Sequence, residues 1–262
     1  MEVAIGLIYF LVIVFANTIG AISGMGGGII IRPVFEVIGY HPIVAISFYS
    51  SVAVFTMSIT ATLRQLSNGI KVRFKVATTI SLSAIVGGFL GNVAFEWLLL
   101  FFESERLANL VQIILTILSL VFVLLTTNNE KSNFELNHFI WYFLTGIFLG
   151  FLASLLGIGG GPINVALLML LFKIPIKEAT VYSIITIFFS QLSRLFSIHL
   201  MTGFDRFDLT LLFWIIPAAV IGGLLGGSLS GIFSENRIMK IFKWTVSGII
   251  LLNIINSILL FI

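Results

Sequence analysis

Two stretches, "SGMGGGIIIRP" at Ser23–Pro33 and "LLGIGGGPINV" at Leu155–Val165, interrupt long apolar runs with the same cluster of glycines. After each comes a short apolar segment, Ile29–Gly39 or Pro162–Phe172, and then a segment led by Pro42 or Pro175. The short segments are 11 residues each. A helix of that length rises only about 16 Å, half the thickness of a bilayer's hydrocarbon core. Each is therefore either a re-entrant hairpin or a short helix that completes a crossing with one end recessed.

Composition sets the solvent around these breaks. The chain is 59% hydrophobic and 10% charged, where an ordinary globular chain has about a quarter of its residues charged. Most of it belongs in lipid. Eight runs, 3–22, 43–63, 76–100, 107–126, 139–156, 176–200, 209–232 and 238–262, are long and apolar enough to span. The first follows no basic residue and precedes no small-residue cleavage site, so it reads as a retained helix rather than a signal peptide. With no cysteine, disulfides, thiolate metal sites and cysteine nucleophiles are excluded. Lys and Arg flanking the apolar runs account for the net charge of +3, and no nucleic-acid partner is needed to explain it.

The glycine breaks belong to an internal duplication. A shift of 133 residues lays Gly24–Ser50 on Gly157–Ser183 without a gap, with nine identities in 27 positions. These include Gly24 with Gly157, Gly26 to Gly28 with Gly159 to Gly161, Pro42 with Pro175, and Tyr49 with Tyr182. Further on, "RF" at Arg73 matches "RF" at Arg206, and "GGFLG" at Gly87 matches "GGLLG" at Gly222. Residues 1–126 form a first transmembrane repeat and 139–262 a second, joined by the polar linker 127–138.

Charge decides how the short segments are placed. Counted as crossings, they put ten Lys and Arg on one side and leave Arg106 and Arg206 opposite; left out, the split is six against six. The first is the asymmetry expected of basic residues on the cytoplasmic side. The predicted fold is an all-α polytopic membrane protein of ten crossings with both termini outside. It contains two inverted five-segment repeats, each with a Gly-interrupted helix hairpin and a short half-length helix.

Non-helical backbone at membrane depth persists only where it is buried in protein or lines a wet cavity. Ser23, Gly24, Gly26, Gly27 and Gly28, with Gly157, Gly159, Gly160 and Gly161, are therefore expected to line a site. The helix that starts after each tract turns unpaired N–H groups toward it, a ready anion site. For "GGFLG" and "GGLLG", inside long helices, close helix packing is the expected role.

Two arginines fall within the apolar segments, where ionisable side chains are costly and usually functional. Arg32 and Arg194 present donor forks suited to carboxylate, sulfonate or phosphate oxygens, and Arg32 has Glu36 at i+4 as a rival partner. Ser183, Ser190, Gln191 and Arg194 share a helical face, and Ser47, Ser50, Ser51, Ser58 and Thr62 form a similar stripe in the other half. Asn164, at the start of the second short segment, is a further donor. Tyr49 and Tyr182 are candidates for gating or packing, and Glu36, with Glu96 near a helix end, for a coupling group.

In its paired "GMGGG" and "GIGGG" tracts, each followed by a short segment and a Pro-led helix, the chain resembles the sulfite exporter TauE/SafE family, also called the TSUP permeases. The likeness runs along essentially the whole chain. It implies a bacterial or archaeal inner-membrane transporter of sulfur-containing anions such as sulfite, sulfonates or thiosulfate, coupled to protons and requiring no cofactor. One departure is local: the "RP" of Arg32 and Pro33 is "VA" at Val165 and Ala166, with the proline moved to Pro162.

Other classes fit less well. An intramembrane hydrolase needs a nucleophile and a histidine base, but His41, His138 and His199 all fall near predicted helix ends. Metal transport lacks the acidic or histidine clusters that would hold the ion. A passive anion channel would use the same positive cavity without alternating access.

Overall fold

The computed structural model describes residues 2–70, 72–128, 134–157 and 161–259. Among them the chain forms ten helices and no strand: α1 (Glu2–Ser23), α2 (Gly28–Ile38), α3 (Ile43–Ser67), α4 (Phe74–Phe102), α5 (Glu105–Asn128), α6 (Phe139–Leu155), α7 (Gly161–Phe172), α8 (Ile176–Met201), α9 (Leu212–Ile232) and α10 (Glu235–Leu259). A 3-10 turn at Leu209–Leu211 leads into α9.

Seven helices, α1, α3, α4, α5, α8, α9 and α10, are long and apolar enough to span a membrane. Eight such segments are expected from sequence. The difference is α6, which ends after 17 residues because the chain turns at Leu156 into Gly157, a residue in the left-handed region at φ 65°. The two short segments are helices, of 11 and 12 residues.

Proline and glycine set the boundaries. Pro42 and Pro175, both extended, launch α3 and α8; a proline in that conformation cannot continue a helix behind it. Gly39, at φ 66°, closes α2 by donating its N–H to the Phe35 carbonyl at 3.0 Å, a left-handed helix cap that favours glycine.

The packing partners repeat with the halves exchanged. α1 lies on α9 and α6 on α4; α3 lies on α9 and α8 on α4; α2 meets α10 and α7 meets α5. Two helices of each half also meet their own counterparts, α3 with α8 and α5 with α10. Each half is thus built largely against the other.

Glycine makes the closest of these contacts possible. A Cβ on Gly87 or Gly91 of α4 would strike the α6 backbone at Ile147 or Phe151, and one on Gly222 or Gly226 of α9 would strike α1 at Val14 or Thr18. On the adjoining stripe, Gly88 faces Ser190 of α8, while Gly223 and Gly227 face Thr60 and Arg64 of α3. The "GGFLG" and "GGLLG" motifs are packing surfaces, as expected for small residues between membrane helices. Tyr9 stacks on Phe35 at 3.7 Å, and Tyr142 lies against Phe172 at 4.4 Å. An aromatic side chain of the preceding helix holds each short helix in place. Large apolar side chains such as Phe213 and Trp244 face outward, toward lipid.

Candidate anion site

Both glycine breaks adopt the same conformation at matching positions, Gly24 at φ 73° and Gly157 at φ 65°. Their surroundings match as well. A Cβ on Gly24 would lie 2.5 Å from Thr180 Cα in α8, and one on Gly157 would lie 2.6 Å from Ser47 Oγ in α3. Ser47 and Thr180 are 133 residues apart, the offset of the duplication. Each break therefore presses on the Pro-led helix of the opposite half. Gly26 is also left-handed, at φ 74°, Gly27 faces the Asn17 side chain, and Gly28 and Gly161 begin the short helices. No side chain caps the α2 N-terminus at Gly27. Gly159 and Gly160 lie outside the described residues.

The two arginines converge on the second break. The same Cβ position on Gly157 lies 2.5 Å from Arg32 Nη1 and 3.3 Å from Arg194 Nη1. Arg32 is 4% exposed and Arg194 1%, so two positive charges face each other where repulsion is poorly screened.

Their hydrogen bonding differs sharply. Arg32 donates through Nε to Glu36 Oε1 at 2.8 Å, through Nη1 to the Leu156 carbonyl, and through Nη2 to Gln112 Oε1 and, at 3.0 Å, to Asn109 Oδ1. Glu36 in turn accepts from Asn256 Nδ2 at 3.1 Å, and the same nitrogen donates to the Pro33 carbonyl at 3.0 Å. Gln112 also donates to the Leu155 carbonyl at 2.5 Å. Arg32 thus ties α2 to α5, the end of α6 and, through Glu36, α10. Arg194 donates only from Nη2, to Ser47 Oγ at 2.7 Å, with its guanidinium 5.7 Å from the Phe95 ring. Its Nε and Nη1 have no partner among the described residues.

Other polar side chains divide in the same way. Ser23 donates to Ile19 within its own helix at 2.7 Å, and Ser183 to the Gly24 carbonyl at 2.5 Å. Ser51, Ser58 and Ser190 bond back to their own helices, as serines in apolar helices do. Ser50 Oγ and both side-chain polar atoms of Asn164 and Gln191 are buried without partners among the described residues. Such groups are costly in an apolar interior and, like the unpartnered nitrogens of Arg194, are suited to hydrogen-bond an anion's oxygens.

Tyr49 donates to the Asp208 carbonyl at 3.1 Å, and Tyr182 accepts from the Arg73 backbone N–H at 2.6 Å. His41 Nδ1 lies 2.8 Å from the Tyr9 hydroxyl and lines, with Tyr40 and Asp208, a pocket of about 420 Å³ at the start of α1 and α9. No cluster of three or more metal-ligating side chains occurs among the described residues.

Sequence reasoning leaves Asn109, Gln112 and Asn256 out of the site. Their sequence signal is an i, i+3 spacing of amide side chains, Asn109 with Gln112 on α5 and Asn253 with Asn256 on α10.

The sulfite exporter TauE/SafE family model matches residues 9–253. The chain belongs to this family. Within it, the chain is 26% identical over 255 residues to the probable membrane transporter protein YunE of Bacillus subtilis (strain 168), covering 87% of this chain and 89% of that protein. No solved structure matches. Family membership and the seven long apolar helices make this TauE/SafE protein a multi-pass membrane transporter.

Proposed function

We propose that this TauE/SafE protein is a secondary carrier of a small sulfur-containing anion, such as sulfite, thiosulfate or an organosulfonate. The anion binds between the two glycine breaks and crosses by alternating access, coupled to protons. The observation that carries this reading is Arg194, a buried guanidinium at Gly157 with two nitrogens lacking partners among the described residues, in a chain that also buries unpartnered polar atoms on Ser50, Asn164 and Gln191. Arg32 and Glu36 complete the charge of the site. Its floor is the backbone of Gly24 and Gly157, with Ser183 fixing the first of these breaks. Tyr49 and Tyr182 act at the two approaches.

Alternating access draws its support from the exchange of packing partners between the halves, which fits inverted repeats rocking about a shared centre. The test is uptake of labelled sulfite, thiosulfate, taurine, sulfoacetate, acetate and phosphate into proteoliposomes, with and without an imposed proton gradient. Saturable, gradient-dependent uptake of one sulfur oxyanion is expected. Non-saturable flux of many anions, indifferent to protons, would instead mean a channel.

A further inference from the structure

The charge buried at this site is unbalanced. Among the described residues, Arg32 and Arg194 are the buried cationic side chains. One carboxylate offsets them: Glu36, 8% exposed, in its ion pair with Arg32. A further acid, Glu96, has its own partner in Arg206 at 3.4 Å, in a pair that is 19% and 33% exposed. Two guanidiniums against one carboxylate leave a single positive charge, since arginine does not give up its proton.

The hydrogen bonds place that charge on one residue. All three guanidinium nitrogens of Arg32 are engaged, with Glu36, Leu156, Asn109 and Gln112. Among the described residues Arg194 alone of the pair has whole nitrogens without a partner, Nε and Nη1. The other unpartnered groups assigned to the site, on Ser50, Asn164 and Gln191, are neutral. They are suited to hydrogen-bond further oxygens of a ligand and cannot compensate a second negative charge.

In an interior that solvates ions poorly, an uncompensated charge is the dominant penalty. We propose that the site selects by charge, accepting monoanions, such as a sulfonate or a singly protonated oxyanion, and rejecting dianions of the same shape. This rests on the anion-site reading above and narrows it to sulfonates and hydrogen sulfite, since thiosulfate is a dianion. A consequence is that an acid with two ionisations crosses in its protonated form and carries its own proton, with no side chain needing to titrate.

The test uses the full-length protein in detergent and three tetrahedral probes: methanesulfonate, which stays singly charged; methylphosphonate, which gains a second charge as pH rises; and sulfate, which is doubly charged. Calorimetry is expected to find methanesulfonate affinity flat with pH. Methylphosphonate should match it in mild acid, then weaken about tenfold or more as its second proton leaves, with sulfate weakest. Glu36→Gln, which raises the site's net charge, should shift preference toward sulfate, and the wild-type pH series decides alone if that variant does not fold. Sulfate or doubly ionised methylphosphonate binding as tightly as methanesulfonate, with Arg194→Ala abolishing both, would overturn charge selection and leave the site standing. Binding of none of the three, or binding unchanged in Arg194→Ala, would overturn the site itself.

Discussion

The Tyr182 hydroxyl accepts the Arg73 backbone N–H at 2.6 Å, holding the entry to α4 against α8. Tyr49, its counterpart, donates to the Asp208 carbonyl at 3.1 Å and holds the entry to α9 against α3. Each tyrosine thus clamps the start of a glycine-striped helix in the other half. Tyr182→Phe leaves a backbone N–H without its partner, a loss of about 1 kcal/mol or more. Amide hydrogen exchange at Arg73 should accelerate in that variant, and transport should change more than overall stability does. Unchanged exchange at Arg73 would rule the clamp out.

The two arginines should respond differently to removal. Arg32→Ala strands the carboxylate of Glu36 and the amide oxygens of Asn109 and Gln112. Breaking one side of a buried pair costs about 3–5 kcal/mol, so a folding defect visible by thermal denaturation in detergent is expected. Arg194→Ala removes one hydrogen bond to Ser47 and two free nitrogens. It should fold and insert normally while losing anion uptake. Comparable loss of thermal stability in the two variants would contradict this division.

Substituting glycine separates backbone strain from crowding. At φ 65° an alanine in place of Gly157 costs about 1–2 kcal/mol for its conformation alone, and its Cβ would also meet Arg32 Nη1 at 2.5 Å. Gly69, at φ 77°, has nothing within 4 Å of its Cβ position. Gly69→Ala should therefore show only the strain, with transport near normal, while Gly157→Ala should abolish uptake. Equal transport by both variants would remove Gly157 from the site.

His41 lies in the connector between α2 and α3, facing Tyr9, Tyr40, Tyr49 and Asp208. Burial pushes its pKa below the ordinary 6.5, with Asp208 opposing weakly. Between that lowered value and 6.5 the unfolded chain binds a proton that the folded one does not. Stability from this group is then complete above 6.5 and falls as pH drops toward the lowered value. Melting temperatures from mild acid to neutrality should show a shallower acid loss in His41→Gln than in wild type. Identical slopes would show that His41 does not contribute.

Periodicity and punctuation make the helices readable from the chain alone. Pro42, Pro175 and Gly39 mark their boundaries by conformational restriction, which is local and therefore visible in sequence. The i+4 pairing of Arg32 with Glu36 is legible for the same reason. The partners of Arg32 on α5, 77 and 80 residues away, are not. Nothing along a chain announces which apolar helix will swing a lone asparagine or glutamine toward a distant guanidinium. The contrast between an arginine engaged at every nitrogen and one engaged at a single nitrogen is hidden too, because it depends on three-dimensional neighbours rather than on residue type.

The interlacing of the halves has a consequence for biosynthesis. α1 leaves the ribosome well before the surface it is shaped to receive, the Gly222 and Gly226 stripe of α9, has been made. α4 likewise waits for α6, and its bare glycine ridge has no side chains of its own to shield the backbone meanwhile. The membrane must therefore hold a loosely associated set of early helices until the last ones arrive. A chain truncated after its first half would leave the α4 ridge open to the wrong neighbours.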